Sequence, residues 1–268
     1  MPFITNDSFV EFIKGARVAL VGPAASALAY EQGELIDGYD YVARVKSFFV
    51  PEEKRKSHGS RVDFLYTDNE QTNDILPGDT VIIQNDKQII QMHPNNIQKR
   101  VDILQNDVKV VISTCPSAEW FFHRFTGALN GMSSLTNVRI MPDEPYMQIR
   151  QKTMRPNAGF SAIIDLVSLP ISELYITGID FYRSLYRDSY LNSLWTKDTI
   201  SNMVNSPDGQ TPDGNPDYHD PDLQFLYFKN EIWKKDNRVK VDPFMEEVLR
   251  DPRYESFETA MMLLGEAN

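Results

Sequence analysis

The 268-residue sequence has a single cysteine, Cys115, so no disulfide bond can form within the chain. It also lacks a run of about 18 uncharged apolar residues, which is the length that a membrane-spanning helix needs. The N-terminal stretch has no basic start followed by an apolar core, so no signal peptide is expected. These absences predict a protein of the reducing cytoplasm. Cys115 ends an apolar run with no base near it in the sequence, which favours a buried structural thiol over a nucleophile.

Positive charge is scarce, with 27 Lys and Arg against 38 Asp and Glu and a net charge of −11. Because nucleic-acid binding needs a basic face, a nucleic-acid partner is not expected. The stretch "VGPAAS" is neither G-x-G-x-x-G nor a Walker P-loop, so a nicotinamide cofactor is poorly supported. The four histidines, His58, His93, His123 and His219, have no metal-ligand spacing. The aspartates of 205–222 do not fit an EF-hand loop either, so no metal is expected.

What the sequence does contain is an alternation of strand-like and helix-like segments. Strands are predicted at 17–22, 39–46, 61–68, 78–85, 108–115, 137–142 and 173–180, with a last short strand near 238–244. Helical connectors between them indicate βαβ units. We therefore predict an α/β fold, a single Rossmann-like domain over 1–242 with a mostly parallel, doubly wound sheet. Residues 243–268 are predicted to form a C-terminal helical tail.

One long segment stands apart in composition, because Pro, Gly, Asp and Asn dominate "NSPDGQTPDGNPDYHDPD" at 205–222. A long loop in a compact domain is typically functional or disordered. We interpret 183–218 as a flexible lid over the carboxyl edge of the sheet, with a solvated surface excursion as the alternative. The C-terminal tail favours a docking helix or a homo-oligomer contact. Its acidic charge disfavours the other interpretation, peripheral contact with anionic lipid.

Two stretches carry candidate functional residues. In "LYITGIDFY" a buried strand runs into Gly178, Asp180 and Tyr182, and ligands of open α/β sheets bind at the carboxyl ends of strands. His219 lies between the proposed lid and a helix start. A helix N-terminus favours the neutral imidazole, which a general base needs. The alternatives also stand: a core strand with a glycine turn, and a histidine that only belongs to a polar helix start.

Two further turns resemble ligand cradles. Gly22 ends the first strand, and a glycine there lets the backbone approach a phosphate or ribose, with helix N–H groups beyond it. Arg155 precedes a turn of small residues with Gly159 and an apolar helix, and its guanidinium suits a carboxylate or phosphate. A capped core helix with a surface arginine is the alternative for the second turn.

Four stretches, taken together and in order, resemble the CMP-dependent sialyltransferases. They are "VALVGPAASALAYEQGELIDGYDYVARVK" (18–46), "RVDFLYTD" (61–68), "RPNAGFSAIIDLVSLPISELYITGIDFYRSLY" (155–186) and "HDPDLQFLYFKNEIWKKDNRVKV" (219–241). The likeness is greater to bacterial glycosyltransferase family 42 than to the animal-type family 29. It implies a sialyltransferase-type variant of the GT-A fold. The activity implied is metal-independent, inverting transfer of sialic acid from a CMP-sugar, without a cofactor, to a glycan such as lipooligosaccharide or capsule.

The resemblance also implies roles for individual residues. His219 takes the proton from the acceptor hydroxyl, and Tyr182, with Tyr186 or Tyr190, hydrogen-bonds the departing phosphate. Residues implied around the donor are Gly22, Pro23, Ala24, Lys46, Thr67, Arg155, Asn157, Ala158, Gly159, Gly178 and Asp180.

The sequence departs from the family pattern at four of these positions. Pro23, Lys46 and Thr67 stand where the family has asparagine, and Ala158 stands where it has Ser or Thr. These departures leave two other interpretations open, a transferase of CMP-Kdo or another ulosonic acid, and a nucleotide- or glycan-binding module without catalysis. A third, an unrelated Rossmann-type enzyme, is disfavoured by the absent dinucleotide motif.

Overall fold

The computed structural model of the chain describes residues 4–67, 74, 76–84, 87–114, 136–185, 219–256 and 259. Its strands are β1 Arg17–Val21, β2 Tyr41–Val45, β3 Phe64–Thr67, β4 Thr80–Gln84, β5 Lys87–Gln91, β6 Val110–Ser113, β7 Asn137–Ile140, β8 Glu173–Thr177 and β9 Val239–Val241. Its α-helices are α1 Asn6–Ile13, α2 Gly33–Asp37, α3 Arg55–His58, α4 Pro94–Asn106, α5 Asp143–Thr153, α6 Ala158–Ser168, α7 Pro221–Tyr227 and α8 Pro243–Arg250. A π-helical turn, Phe228–Trp233, continues α7.

Seven of these strands form one sheet in the order β7-β6-β3-β2-β1-β8-β9, and every neighbouring pair in it is parallel. The chain adds strands outward from β1 as far as β7, and then returns to place β8 on the other side of β1. This reversal puts a topological switch point between β1 and β8. The predicted α/β fold with a mostly parallel sheet is confirmed.

Apolar side chains alternate between the two faces of this sheet. Val18 and Leu20 of β1 pack into the large core beneath α1, α6 and α8, while Ala19 and Val21 pack on the opposite face near α2. Strands covered on both faces read as continuous apolar runs, which is why the sequence predicts them well. The doubly wound arrangement follows directly from this burial.

Several elements differ from the prediction, and β5 and α3 are among those that were not predicted. The predicted strand 78–85 is present as β4, but it pairs antiparallel with β5 and is outside the seven-stranded sheet. An antiparallel partner that follows at once along the chain forms a hairpin and needs no crossover helix. The sequence interpretation also missed α5, whose first turn carries Asp143 and Glu144 but whose apolar periodicity is weak.

A buried ion pair ties α6 to the sheet. Arg139 of β7 donates two hydrogen bonds to Asp165 of α6, at 2.6 and 3.0 Å, and Tyr66 of β3 donates a third, at 2.7 Å. Burial and the Asp165 carboxylate raise the pKa of the Tyr66 hydroxyl. Because α6 begins at the carboxyl edge of the sheet, this pair also fixes where its N-terminus lies.

Several predictions concern residues outside the described ones. They are Cys115, the helical connector at 118–132, Tyr186, Tyr190, the greater part of the lid (186–218) and most of the tail beyond 256. The beginning of the tail is described, and it packs into the core through Met245, Val248 and Leu249 of α8. In the described part of the chain, no helix has both the length and the apolar character to cross a membrane.

Candidate functional site

Four segments meet at the carboxyl edge of the sheet, beside the switch point between β1 and β8. They are the turn after β1, the turn at 178–185 after β8, the loop at 154–157 that leads into α6, and the start of α7. In open α/β sheets, ligands bind in the crevice at such a switch point. Most of the site residues that were predicted from the sequence and that the structure describes lie on these four segments.

The two predicted glycines, Gly22 and Gly178, pack against each other. A Cβ atom on Gly22 would lie 2.1 Å from the Gly178 carbonyl oxygen, and one on Gly178 would lie 2.6 Å from the Gly22 carbonyl oxygen. Gly178 also has a φ of +66°, which a side chain disfavours. These glycines are therefore required by the close approach of two backbone turns. A contact of either one with a ligand stays a prediction.

The turn after β1 was predicted to let the backbone approach a phosphate or ribose, with helix N–H groups beyond it, and that contact stays a prediction. The N–H groups of Gly22, Ala24 and Ala25 donate to the carbonyl oxygens of Thr177, Gly178 and Leu185, at 2.8, 3.1 and 2.7 Å. Ala24 is buried, and so is Pro23, which has no N–H group. These three hydrogen bonds join the turn after β1 to the end of β8 and to the 178–185 turn beside it.

Asp180, predicted around the donor, is buried between these two turns with 3% of its surface exposed. Its carboxylate accepts hydrogen bonds from the hydroxyls of Ser26, at 2.9 Å, and Ser184. Its Oδ2 atom thus binds the chain itself, and a contact of this carboxylate with a donor stays a prediction. Asp180 instead holds the turn after β1 and the turn after β8 together.

This burial makes the stability of the fold depend on pH. Desolvation, with a smaller contribution from Asp242, raises the pKa of Asp180 from 3.8 to about 6, although the two serine hydroxyls oppose the change. The folded chain thus binds this proton more tightly than the unfolded chain, so the contribution of Asp180 to stability is greatest below about pH 4 and is lost as the pH rises through about 6. From pH 5.5 to pH 7.5 we expect a loss of about 1 kcal/mol.

Urea unfolding of the wild type and of Asp180→Asn at these two pH values measures the effect. The asparagine keeps an acceptor for the serine hydroxyls but has no charge to desolvate. The loss of unfolding free energy from pH 5.5 to pH 7.5 should therefore be smaller in Asp180→Asn than in the wild type, by about 1 kcal/mol. An equal pH dependence in both proteins would contradict the assignment.

The turn after β8 holds two successive side-chain-bearing residues in the left-handed region. Phe181 has a φ of 53° and Tyr182 a φ of 64°, a conformation that costs about 1–2 kcal/mol for each residue. The neighbours of Tyr182 compensate for this cost. Phe181 is buried against the rings of Phe160, Phe225 and Phe228, at centroid distances of 5.7, 5.8 and 5.5 Å. Tyr182 itself is half-buried at the sheet edge.

Arg183 is the anchor on the other side of Tyr182, and the sequence interpretation missed it. Its side chain is fully buried, with its guanidinium 4.4 Å from the centre of the Phe225 ring. It donates hydrogen bonds to the carbonyl oxygens of Phe181 (2.6 Å) and Pro221 (3.4 Å) and to the Asp222 carboxylate (2.6 Å). Burial lowers the pKa of Arg183, and Asp222 opposes this. The arginine thus joins the turn that carries Tyr182 to the start of α7.

His219 directly precedes Asp220, the N-cap of α7, whose carboxylate accepts from the N–H groups of Asp222 and Leu223. The polar helix start that the sequence indicated at His219 is therefore present. His219 also forms an isolated antiparallel bridge with Met154. Its ring Nδ1 lies 2.8 Å from the Arg155 carbonyl oxygen. Because a carbonyl can only accept, Nδ1 carries the hydrogen, and the lone pair of the neutral ring is on Nε2.

The start of α6 completes the edge. Asn157 caps the helix by accepting the Phe160 N–H at 2.8 Å, and half-buried Ala158 is its first residue. A Cβ atom on Gly159 would lie 3.1 Å from Ile179, which follows Gly178 in the neighbouring turn. Half-buried Arg155 lies in the loop before the cap. The structure thus brings 155–159, Gly178, Tyr182 and His219 into adjoining segments.

Lys46 and Thr67 belong to the same edge but to strands further from the switch point. Lys46 follows β2 with a φ of 53°, and its N–H donates to the Tyr66 carbonyl oxygen at 2.8 Å. Asparagine adopts this conformation more readily than lysine, which agrees with the family's choice of residue. Thr67 ends β3 and is buried. Their contacts with a donor stay predictions.

Among the residues that the structure describes, no three His, Cys, Asp or Glu side chains are grouped so that they could hold a metal ion. No protein-family model matches the sequence, and no curated protein matches it.

Solved structures do match. A mammalian sialyltransferase in complex with Gal-β-1-3GalNAc-ortho-nitrophenol is 11% identical, with a TM-score of 0.50, and the match covers 88% of this chain and 72% of that one. A second mammalian sialyltransferase structure is 13% identical, with a TM-score of 0.47 over 87% and 70% of the two chains. The sialyltransferase CstII from Campylobacter jejuni, bound to the substrate analogue cytidine-5'-monophosphate, is 11% identical, with a TM-score of 0.40 over 65% and 70%. The first of these shows that this chain has a sialyltransferase-like fold.

Proposed function

We propose that this chain is a metal-independent, inverting glycosyltransferase that moves a sialic acid or a related ulosonic acid from a CMP-sugar to a glycan hydroxyl. The motif likeness favours an enzyme similar to those of family 42. We propose that it acts in the cytoplasm, on the precursor of a cell-surface glycan. The fold is of the type found in a sialyltransferase that binds a disaccharide derivative. Fold alone does not assign chemistry, so the proposal depends on the side chains at the switch point.

A single observation carries the proposal: the strained backbone of Tyr182, held beside the segment that carries His219. Strain of this kind persists only where surrounding contacts enforce it, and it clusters at functional sites. Here Phe181 and Arg183 are buried on either side, and Arg183 reaches Pro221, two residues after His219. We therefore propose that this turn presents Tyr182 to the same site as His219, whose Nε2 atom carries the lone pair of the neutral ring.

In the proposed reaction, His219 acts as the general base. Its Nε2 accepts the proton of the acceptor hydroxyl while the acceptor oxygen forms a bond to the anomeric carbon of the donor sugar. The bond from that carbon to the phosphate oxygen breaks, and CMP leaves with the electron pair. Attack opposite the leaving group inverts the anomeric centre. The Nδ1 hydrogen bond to the Arg155 carbonyl would also stabilise the imidazolium that forms.

Tyr182 is proposed to hydrogen-bond the departing phosphate, a role that other transferases give to a metal ion. Tyr182→Phe removes this donor and keeps the ring, so we expect a fall in kcat of about 10²-fold. Urea unfolding should be almost unchanged, because the aromatic ring still fills its place. A wild-type turnover rate would exclude the role of the hydroxyl.

The remaining predicted residues would surround the donor. Arg155, Lys46 and the N-terminus of α6 supply positive charge or dipole for the CMP phosphate and the sugar carboxylate. Tyr186, Tyr190 and the part of the predicted lid (183–218) that follows the 178–185 turn are proposed to close over the site and exclude water, which would otherwise hydrolyse the donor. The first residue of that predicted lid, Arg183, is fully buried and anchors the turn instead.

Isothermal titration calorimetry with CMP, CDP, UDP and NAD, each first in EDTA and then with Mn²⁺ in place of EDTA, tests the proposal directly. We expect binding of CMP and no comparable binding of NAD or UDP. Binding of NAD alone, or binding of UDP that requires Mn²⁺, would place the chain in another class of enzyme.

A nucleotide- or glycan-binding module without catalysis is the second candidate. It is favoured by the departures from the family pattern at Pro23, Lys46, Thr67 and Ala158. The two candidates separate on turnover. Both predict CMP or glycan binding, and only the first predicts release of CMP from a CMP-sugar in the presence of an acceptor.

A further inference from the structure

One buried side chain contacts the same carbonyl oxygen that orients His219. Gln224, one turn into α7, has none of its surface exposed. Its Nε2 donates to the Arg155 carbonyl oxygen at 2.9 Å, while Nδ1 of His219 binds that oxygen at 2.8 Å. A carbonyl oxygen has two lone pairs, so these two hydrogen bonds use both.

The amide of Gln224 is tied down at its other end as well. Its Oε1 lies 3.5 Å from the N–H of Asn157, the residue that caps α6. The backbone N–H of Gln224 in turn donates to the Asp220 carbonyl oxygen at 3.1 Å, within the first turn of α7. Gln224 therefore spans from α7, which His219 precedes, to the 154–157 loop that supplies the His219 acceptor.

We propose that Gln224 is a positioning residue for His219: by binding the Arg155 carbonyl from within α7, it keeps that oxygen where it accepts the Nδ1 hydrogen. The proposed positioning role rests on the proposed function in one respect, namely that His219 acts as a base. In the neutral ring, Nε2 has a lone pair only while Nδ1 carries the hydrogen. A buried amide is costly without hydrogen bonds. Gln224 forms its contacts with the loop beside His219, which sets it apart from an amide that stabilises the core elsewhere.

Gln224→Met tests this, since methionine fills a similar volume and cannot donate to the carbonyl. The measurement is long-range ¹H–¹⁵N NMR of the histidine ring nitrogens in the full chain at alkaline pH, with His219 assigned from a His219→Gln sample. In the wild type we expect the tautomer with hydrogen on Nδ1. In Gln224→Met the population of this tautomer should fall, and kcat should fall roughly 10- to 100-fold with little change in the KM for the CMP-sugar.

Gln32→Met is the matched control. Gln32 is also a buried glutamine with two side-chain partners, accepting from Tyr175 at 2.5 Å and donating to Thr177 at 2.8 Å, but it has no contact with the Arg155 carbonyl. It should lose stability as Gln224→Met does and keep the wild-type ring-nitrogen spectrum of His219. If Gln224→Met does not fold, Gln224→Asn serves instead, because its amide is too short to reach the Arg155 carbonyl.

The NMR result decides the positioning role even if the chain proves not to be a transferase. A wild-type His219 tautomer in the folded variant, with reduced stability only, would overturn the proposal and leave Gln224 as a structural amide. A changed tautomer together with no transferase activity in the wild type would support the positioning role and reject the proposed function.

Discussion

His219→Ala is expected to lower sialyl transfer by about 10²–10⁴-fold, the range that positioned general bases supply, while CMP binding stays near the wild-type level. The reason is that the imidazole acts on the acceptor hydroxyl and not on the nucleotide. Its removal also leaves the Arg155 carbonyl with the hydrogen bond from Gln224, so the loop before α6 should keep its place. Initial rates of CMP release and calorimetry with CMP measure the two quantities separately.

His93→Ala provides the control for this substitution. His93 is exposed and caps α4, the helix that follows β5, where its ring accepts the Asn95 N–H at 3.3 Å. Its replacement should cost at most a helix cap and leave transfer unchanged. Wild-type turnover in His219→Ala would reject the assignment of the base, and loss of CMP binding in that variant would indicate a different role for the histidine.

Arg183→Met is expected to destabilise the fold by about 3 kcal/mol and to reduce transfer by about 10³-fold in the protein that remains folded. Methionine keeps apolar contact with the Phe225 ring but cannot donate to the carbonyl oxygens of Phe181 and Pro221. Loss of these bonds leaves a buried carbonyl unpaired beside two left-handed residues, so the turn should relax and displace Tyr182. Urea unfolding and steady-state kinetics on the same sample measure both effects.

Arg253→Met is the matched substitution on the surface. Arg253 also pairs with an aspartate, Asp251, but its side chain is 61% exposed, and such exposed pairs contribute little to stability. It should therefore leave both the urea midpoint and kcat near the wild-type values. If Arg183→Met unfolds at the same urea concentration as Arg253→Met, the hydrogen bonds by which Arg183 joins the 178–185 turn to the start of α7 do not contribute to stability.

Local sequence patterns predicted where the segments of the candidate site begin and end. They predicted less well what the residues of these segments contact. "GIDFY" and "HDPD" indicated a strand end and a helix start, and both are where they were expected. Asp180 was expected to lie near a donor, and its contacts with two serines were not predicted. Arg183 was overlooked, because an arginine after a turn normally lies in solvent and nothing local indicates burial.

The sequence by itself determined which segments form the strands of the parallel sheet and several of the helices that pack on it. Residues buried on both faces of a sheet form apolar runs, and caps and prolines mark helix starts. The tertiary structure alone decided that β8 lies beside β1, that β4 pairs outside the sheet, and that Gly22 contacts Gly178. It also decided that the Arg155 carbonyl receives both His219 and Gln224. Such contacts join residues far apart in the sequence, as Ser26 and Asp180 are, 154 positions apart. They depend on which surfaces pack together, and no pattern within one segment encodes that.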